Sequence, residues 1–132
     1  MSAAELRVIF DEQTIRNYGG AGAGLHSDAD TARAQGFPEI ISWGTLTAMP
    51  FWELLRRVAG QEASQDVALD VRLTKPVCAG DEVTYTVRAT KTGGDGRASI
   101  DMDATTARFG IVATAIASIP SDYITNSAQG DS

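Results

Sequence analysis

The chain is poor in the residues that most cofactor chemistry uses: across 132 residues it has one histidine, His26, and one cysteine, Cys78. That pair cannot furnish a usual zinc site, and the carboxylates show no calcium-loop spacing, so neither metal nor other cofactor is expected. A single cysteine forms no internal disulfide, which fits a reducing compartment and a cytoplasmic location. Basic residues are scarce as well, 11 against 17 acidic ones, for a net charge of -6. No basic cluster interrupts that balance, which argues against a nucleic-acid backbone as partner. No apolar run is long enough to span a bilayer, and the start has no apolar core of signal-peptide length, so no membrane partner is expected. There is no Gly-Lys-Ser/Thr phosphate loop. The glycine-rich run Gly19 to Gly24 contains Gly-x-Gly but follows no clear strand within a βαβ unit, so it is not read as a dinucleotide fingerprint.

What is present is an ordinary globular composition, 43% hydrophobic and 21% charged, in a chain of single-domain length. The domain is expected over residues 1–120, followed by a small, polar, loose tail over 121–132. Arg7 to Phe10 is β-rich. Asp11 is a candidate N-cap for a helix reaching Tyr18, with Gly19 as its stop. A second short helix is expected over Ala29 to Gln35, capped by Ser27 or Asp28 and ended by Gly36 and Pro38. The principal helix is expected from Gly44 or Thr45 to Ala59, with Gly60 as its stop. Phe51, Leu54, Leu55 and Val58 form its apolar stripe, opposite Glu53, Arg56 and Arg57, and Pro50 should kink it or delay its start.

From Val67 onward the pattern alternates. Strands are expected over Val67 to Thr74, Val83 to Thr90, Ala98 to Ala104 and Ile111 to Ile119. The turns fall at Ala79-Gly80-Asp81, at Gly93 to Gly96 and at Arg108-Phe109-Gly110. Helix first and antiparallel meander after is an α+β arrangement, a curved sheet wrapped around one long apolar helix face. Such a small sheet leaves edges that dimerisation commonly covers.

Two blocks carry a family resemblance. The first is His26 with Ala32 six positions on, then Gly36-Phe37, Ile40-Ile41 and Gly44. The second is Val71-Arg72-Leu73-Thr74-Lys75-Pro76-Val77, running on to Gly80-Asp81. In this order they resemble the MaoC-like dehydratases, hot-dog-fold proteins that include the (R)-specific enoyl-CoA hydratases, and the likeness runs from about Asp11 to Ile119. The resemblance implies a single hot-dog domain and a small-molecule acyl thioester substrate, carried by coenzyme A or a carrier protein. It also implies a homodimer or higher oligomer. His26 would be the acid/base, and the backbone N–H of Gly44, at a helix N-terminus, would stabilise the enolate oxygen.

The chain departs from that family at one telling place. The hydratase pattern Asp-x-Asn-Pro-x-His is here Ala21-Gly22-Ala23-Gly24-Leu25-His26, so alanine stands where the water-activating aspartate belongs. Trp43-Gly44 likewise replaces a His-Gly pair. Asp28 and Tyr18 are the candidate substitutes, although a helix cap and a core or helix-end tyrosine are the commoner roles for such residues. Ser42 and Thr45 can donate to a ligand or cap the helix. Trp43 is expected to wall the pocket, which Gly22 and Gly24 would widen. Cys78 is expected only to pack.

Three readings follow. The first is a hydratase or dehydratase acting on an α,β-unsaturated or 3-hydroxy acyl thioester. The second is an isomerase, cyclase or eliminating lyase working with His26 alone. The third is a non-catalytic partner subunit of a hot-dog heteromer.

Overall fold

The structure, a computed structural model, describes residues 5–19, 29–60 and 66–121. Its elements in chain order are β1 (Glu5–Phe10), α1 (Glu12–Gly19), α2 (Ala29–Ala34), α3 (Gly44–Ala59), β2 (Ala68–Leu73), β3 (Asp81–Thr92), β4 (Arg97–Thr106) and β5 (Gly110–Pro120). Each expected helix and strand is present. β1, β3, β4 and β5 are longer than alternation alone indicates, β2 is one residue shorter at each end, and α1 takes in Gly19 instead of stopping before it. Asp11 caps α1 by accepting the Thr14 N–H at 2.7 Å, and that bond holds its carboxyl below the usual carboxylate range. α3 ends where Gly60 takes φ +86, a left-handed backbone open to glycine, and returns its N–H to the Arg56 carbonyl at 2.9 Å.

The helix runs through Pro50 rather than starting after it. Proline has no N–H to give the Leu46 carbonyl, a loss that tertiary packing must offset. Phe51, Leu54 and Leu55 are fully buried and Val58 partly so, while Glu53 pairs with Arg56 and Arg57 on the solvent side.

All five strands are antiparallel and form one sheet in the order β1-β3-β4-β5-β2. This corrects the expected meander, which holds only for β3-β4-β5. β2 precedes β3 in the chain but lies at the far edge, against β5, and the chain must cross from one side of the sheet to the other to begin β3. Residues 74–80 make that crossing as a strap. At one end the N–H groups of Thr74 and Lys75 reach the Val112 carbonyl of β5, and at the other the Gly80 N–H reaches the Phe10 carbonyl of β1. Between them the Val77 carbonyl accepts the Ser42 N–H at 2.7 Å and the Ala79 N–H reaches the Ile40 carbonyl at 2.9 Å. The strap is thus zipped to the segment that leads into α3.

α3 packs against β1, β3 and β5, so the sheet wraps the helix as expected. The buried core joins Phe51, Leu54 and Leu55 of α3 to Tyr85, Ile100, Met102, Val112 and Ile119 of the sheet. Phe51 and Tyr85 meet edge-to-face with centroids 5.0 Å apart and planes at 89°, worth about 1 kcal/mol beyond their burial. The outer face of the sheet carries ion pairs across neighbouring strands, Arg88 with Asp103 and Lys91 with Asp101, and also the exposed side chains of Ile9 and Ile116.

Candidate functional site

The strap and the start of α3 enclose a cleft of about 330 Å³, lined by Phe37 and Ile41, by Ser42, Gly44 and Thr47 at the helix entrance, and by Leu73 to Val77. Its wall is mostly apolar, and Lys75 is its charged residue.

The helix entrance is built without a conventional cap. Trp43 occupies the cap position with extended backbone (φ -62°, ψ 142°) and makes no side-chain cap hydrogen bond. This corrects the expectation that Ser42 or Thr45 caps the helix. The Ser42 hydroxyl instead donates to the Trp43 carbonyl at 3.1 Å and accepts from the Thr47 hydroxyl at 3.0 Å, and both residues are buried. No acidic side chain stands in the first turn of α3. The first amides of a helix have no acceptor within it and carry the positive end of its dipole, so the Gly44 end of α3 presents donors and partial positive charge to the cleft. Glycine at position 44 keeps that approach open: a β-carbon there would sit 2.8 Å from Leu73 Cδ1.

A second polar contact steadies the same turn. Tyr85, fully buried on β3, donates its phenol to the Thr47 carbonyl at 2.6 Å. Burial pushes that phenol well above its ordinary pKa, so it stays a donor. Serine, threonine and tyrosine together hold the helix entrance from three directions. The Ser42–Thr47 pair and the Tyr85 anchor escaped sequence reading, because they join residues from separate elements and no spacing rule links them.

Of the residues expected at the site, Ser42 and Gly44 line the cleft, whereas Trp43 packs against the core and neither it nor Thr45 lines the cleft. His26, Asp28, Gly22 and Gly24 lie outside the described residues, as does the side chain of Tyr18. Cys78 is buried as expected. Its N–H is bound by Asp81 at 2.9 Å, and burial raises its thiol pKa. Asp81 also accepts from Arg108 Nε at 3.2 Å, which fixes the turn where the strap enters β3. Among the described residues no group of histidine, cysteine, aspartate or glutamate could hold a metal ion, and no helix is long and apolar enough to cross a membrane.

Solved structures share this architecture. A chain of the ChsH1-ChsH2 complex from Mycobacterium tuberculosis matches with a TM-score of 0.71 at 21% identity, over 88% of this chain and 91% of that one. The (R)-hydratase from A. caviae involved in PHA biosynthesis matches with a TM-score of 0.71 at 24% identity, over 90% and 93%. A chain of the HadBC (3R-hydroxyacyl-ACP dehydratase) complex from Mycobacterium tuberculosis matches with a TM-score of 0.59 at 13% identity, over 88% and 94%. At these identities the likeness is one of fold, the hot-dog fold. A search of curated proteins finds no match. A family model described as the MaoC-like domain covers residues 4–110, which takes in β1, the strap and the whole of α3. The chain belongs to the MaoC-like domain family.

Proposed function

We propose that the protein adds water to an α,β-unsaturated acyl thioester, or removes it from the 3-hydroxy form, with the substrate carried by coenzyme A or a carrier protein. One observation carries the reading: a mostly apolar cleft ends on the side-chain-uncapped N-terminus of α3 at Gly44. Attack on the β-carbon moves charge onto the thioester oxygen, and the Gly44 N–H with the helix dipole stabilises that charge. Hydratase and dehydratase neighbours support the same chemistry.

His26, the sole histidine, is the acid/base in this reading, and Ala21 stands where the family's aspartate would be. Asp28 or Tyr18 then supplies the second group. A second copy of the chain covers the β2 edge, where Leu73 is 49% exposed. The test is loss of enoyl absorbance from crotonyl-CoA and a longer 2-enoyl-CoA, with wild type beside His26→Ala. Turnover abolished by the substitution supports the reading, and turnover that survives it removes His26 from the mechanism. A folded wild type that leaves both substrates unchanged overturns the hydratase reading.

A second reading is favoured by two observations: the alanine at position 21, and the heteromeric complexes among the structural neighbours. In it the chain is a partner subunit whose catalytic residues come from another hot-dog chain. Recovery of hydratase activity only on co-purification with a second MaoC-like chain would establish it.

A further inference from the structure

Two polar side chains sit deep in a cleft whose wall is otherwise mostly apolar. Ser42 is 7% exposed and Thr47 4%, and both line it. Their hydrogens are committed within the protein. The Thr47 hydroxyl donates to Ser42 Oγ at 3.0 Å, and the Ser42 hydroxyl donates to the Trp43 carbonyl at 3.1 Å. A hydroxyl carries one hydrogen and two lone pairs, so Thr47 Oγ1 keeps its acceptor capacity. Among the described residues no group donates to it. The relay also strengthens it, because a hydroxyl that donates becomes a better acceptor.

Such an acceptor is selective. It takes the hydrogen of a hydroxyl or of water, and offers nothing to a carbonyl or carboxylate, since neither hydrogen of the pair is free. Its place is specific too. Thr47 follows Gly44 by three residues in α3, and residues so spaced share one helix face about 5 Å apart. In an enoyl thioester the carbonyl oxygen and the β-carbon are a few bonds apart, a comparable reach. A ligand whose carbonyl oxygen meets the Gly44 amide therefore brings its β-carbon toward Thr47.

We propose that Thr47, oriented by Ser42, holds the oxygen that is added at the β-carbon. It accepts a hydrogen bond first from the water and then from the 3-hydroxyl group that the water becomes. This inference rests on the thioester reading above and deepens it, because it assigns the β-carbon end of the same ligand. As the water oxygen bonds to the β-carbon, the π pair of the double bond moves onto the thioester oxygen. One water hydrogen passes to the acid/base, and the enolate then takes a proton at the α-carbon. The other hydrogen stays on the oxygen, and it is the one that Thr47 accepts. Threonine exchanges no proton; it supplies orientation where Ala21 offers no carboxylate.

The experiment pairs calorimetric binding with crotonyl-CoA hydration for wild type, Thr47→Val and Thr47→Ser. The ligands are coenzyme A amides of butyrate and of each 3-hydroxybutyrate enantiomer, in which NH replaces the thioester sulfur and the α-carbon stays unreactive. Wild type should bind one 3-hydroxy enantiomer several-fold tighter than the butyryl amide. Thr47→Val should abolish that preference, shift the butyryl amide by less than about twofold, and lower kcat about tenfold with little change in KM. Thr47→Ser, which restores the hydroxyl, should keep the preference and most of the turnover. Thr47→Ala makes the same comparison if the valine variant does not fold.

The inference is overturned if wild type binds the three amides alike, or if the preference survives loss of the hydroxyl. Parallel weakening of the butyryl amide, the mark of a merely structural role, also overturns it. Crotonyl-CoA hydration that Thr47→Val leaves unchanged keeps the hydratase reading and discards this one. A preference that depends on Thr47, in a protein that hydrates no enoyl thioester, keeps the 3-hydroxyl subsite and discards the hydratase reading.

Discussion

The Tyr85 hydroxyl lies 2.6 Å from the Thr47 carbonyl, a hydrogen bond between the middle of the sheet and the first turns of the central helix. It ties the hydrophobic core to the helix entrance at the cleft, because the same threonine bonds Ser42 through its side chain. Tyr85→Phe keeps the ring and its packing on Phe51 but removes the donor. The expected cost is about 1–2 kcal/mol in denaturant unfolding. If the contact positions α3, the variant also loses turnover more than it loses substrate affinity.

Alkaline pH should act through the same residue. The folded-state pKa of Tyr85 is raised from an ordinary 10.0 by burial, and that of Cys78 from 9.0, also mainly by burial. In both cases the unfolded chain loses its proton first as pH rises, so stability is fully present below about pH 9 and falls progressively above it. Unfolding midpoints measured between pH 7 and 11 check this. Tyr85→Phe and Cys78→Ala, each compared with its own neutral-pH midpoint, should show a shallower alkaline decline than wild type.

At Gly44 steric and chemical demands coincide. A β-carbon in Gly44→Ala would press on the tip of Leu73 from 2.8 Å, but that tip is the flexible end of a side chain 49% exposed. Leu73 therefore swings aside, and stability changes by less than about 1 kcal/mol. Its displacement narrows the cleft, so KM for an enoyl thioester should rise several-fold. Gly44→Ala combined with Leu73→Ala should return most of that loss, and failure of the double variant to recover would exclude crowding as the cause.

Asp81 holds the strap's exit by binding the Cys78 N–H through one oxygen and Arg108 through the other. Asp81→Ala leaves a buried amide without its acceptor and should cost about 2–3 kcal/mol of stability. Asp81→Asn, which can still accept from the amide, should recover part of it. Urea unfolding of the three proteins gives the order directly.

Much of this molecule is legible locally. Gly44 and Gly60 bracket α3, and Asp11 announces α1 because caps and stops are set by the backbone chemistry of a few neighbouring residues. Strand alternation from Val67 to Ile119 follows from the two-residue period of an extended chain, which exposes one face to water and buries the other. The Gly44 helix start also stands in the sequence as a pattern, whereas His26 of the same motif lies outside the described residues.

What the sequence could not settle was order in space. Alternation along β2 says which face is buried but not which strand lies beside it, so the sheet order β1-β3-β4-β5-β2 was decided by tertiary packing. That order makes residues 74–80 cross the fold, and the crossing creates the cleft. It also brings Leu73 of the far edge against Gly44, beside Lys75 in the cleft wall. The Ser42, Thr47 and Tyr85 contacts likewise depend on elements meeting across the core. The sequence by itself determined the elements, the faces they bury and the family, because each rests on short-range periodicity or local motif. The tertiary structure alone decided the strand order, the cleft and the environment of its charges, because these arise from contacts between residues far apart in the chain.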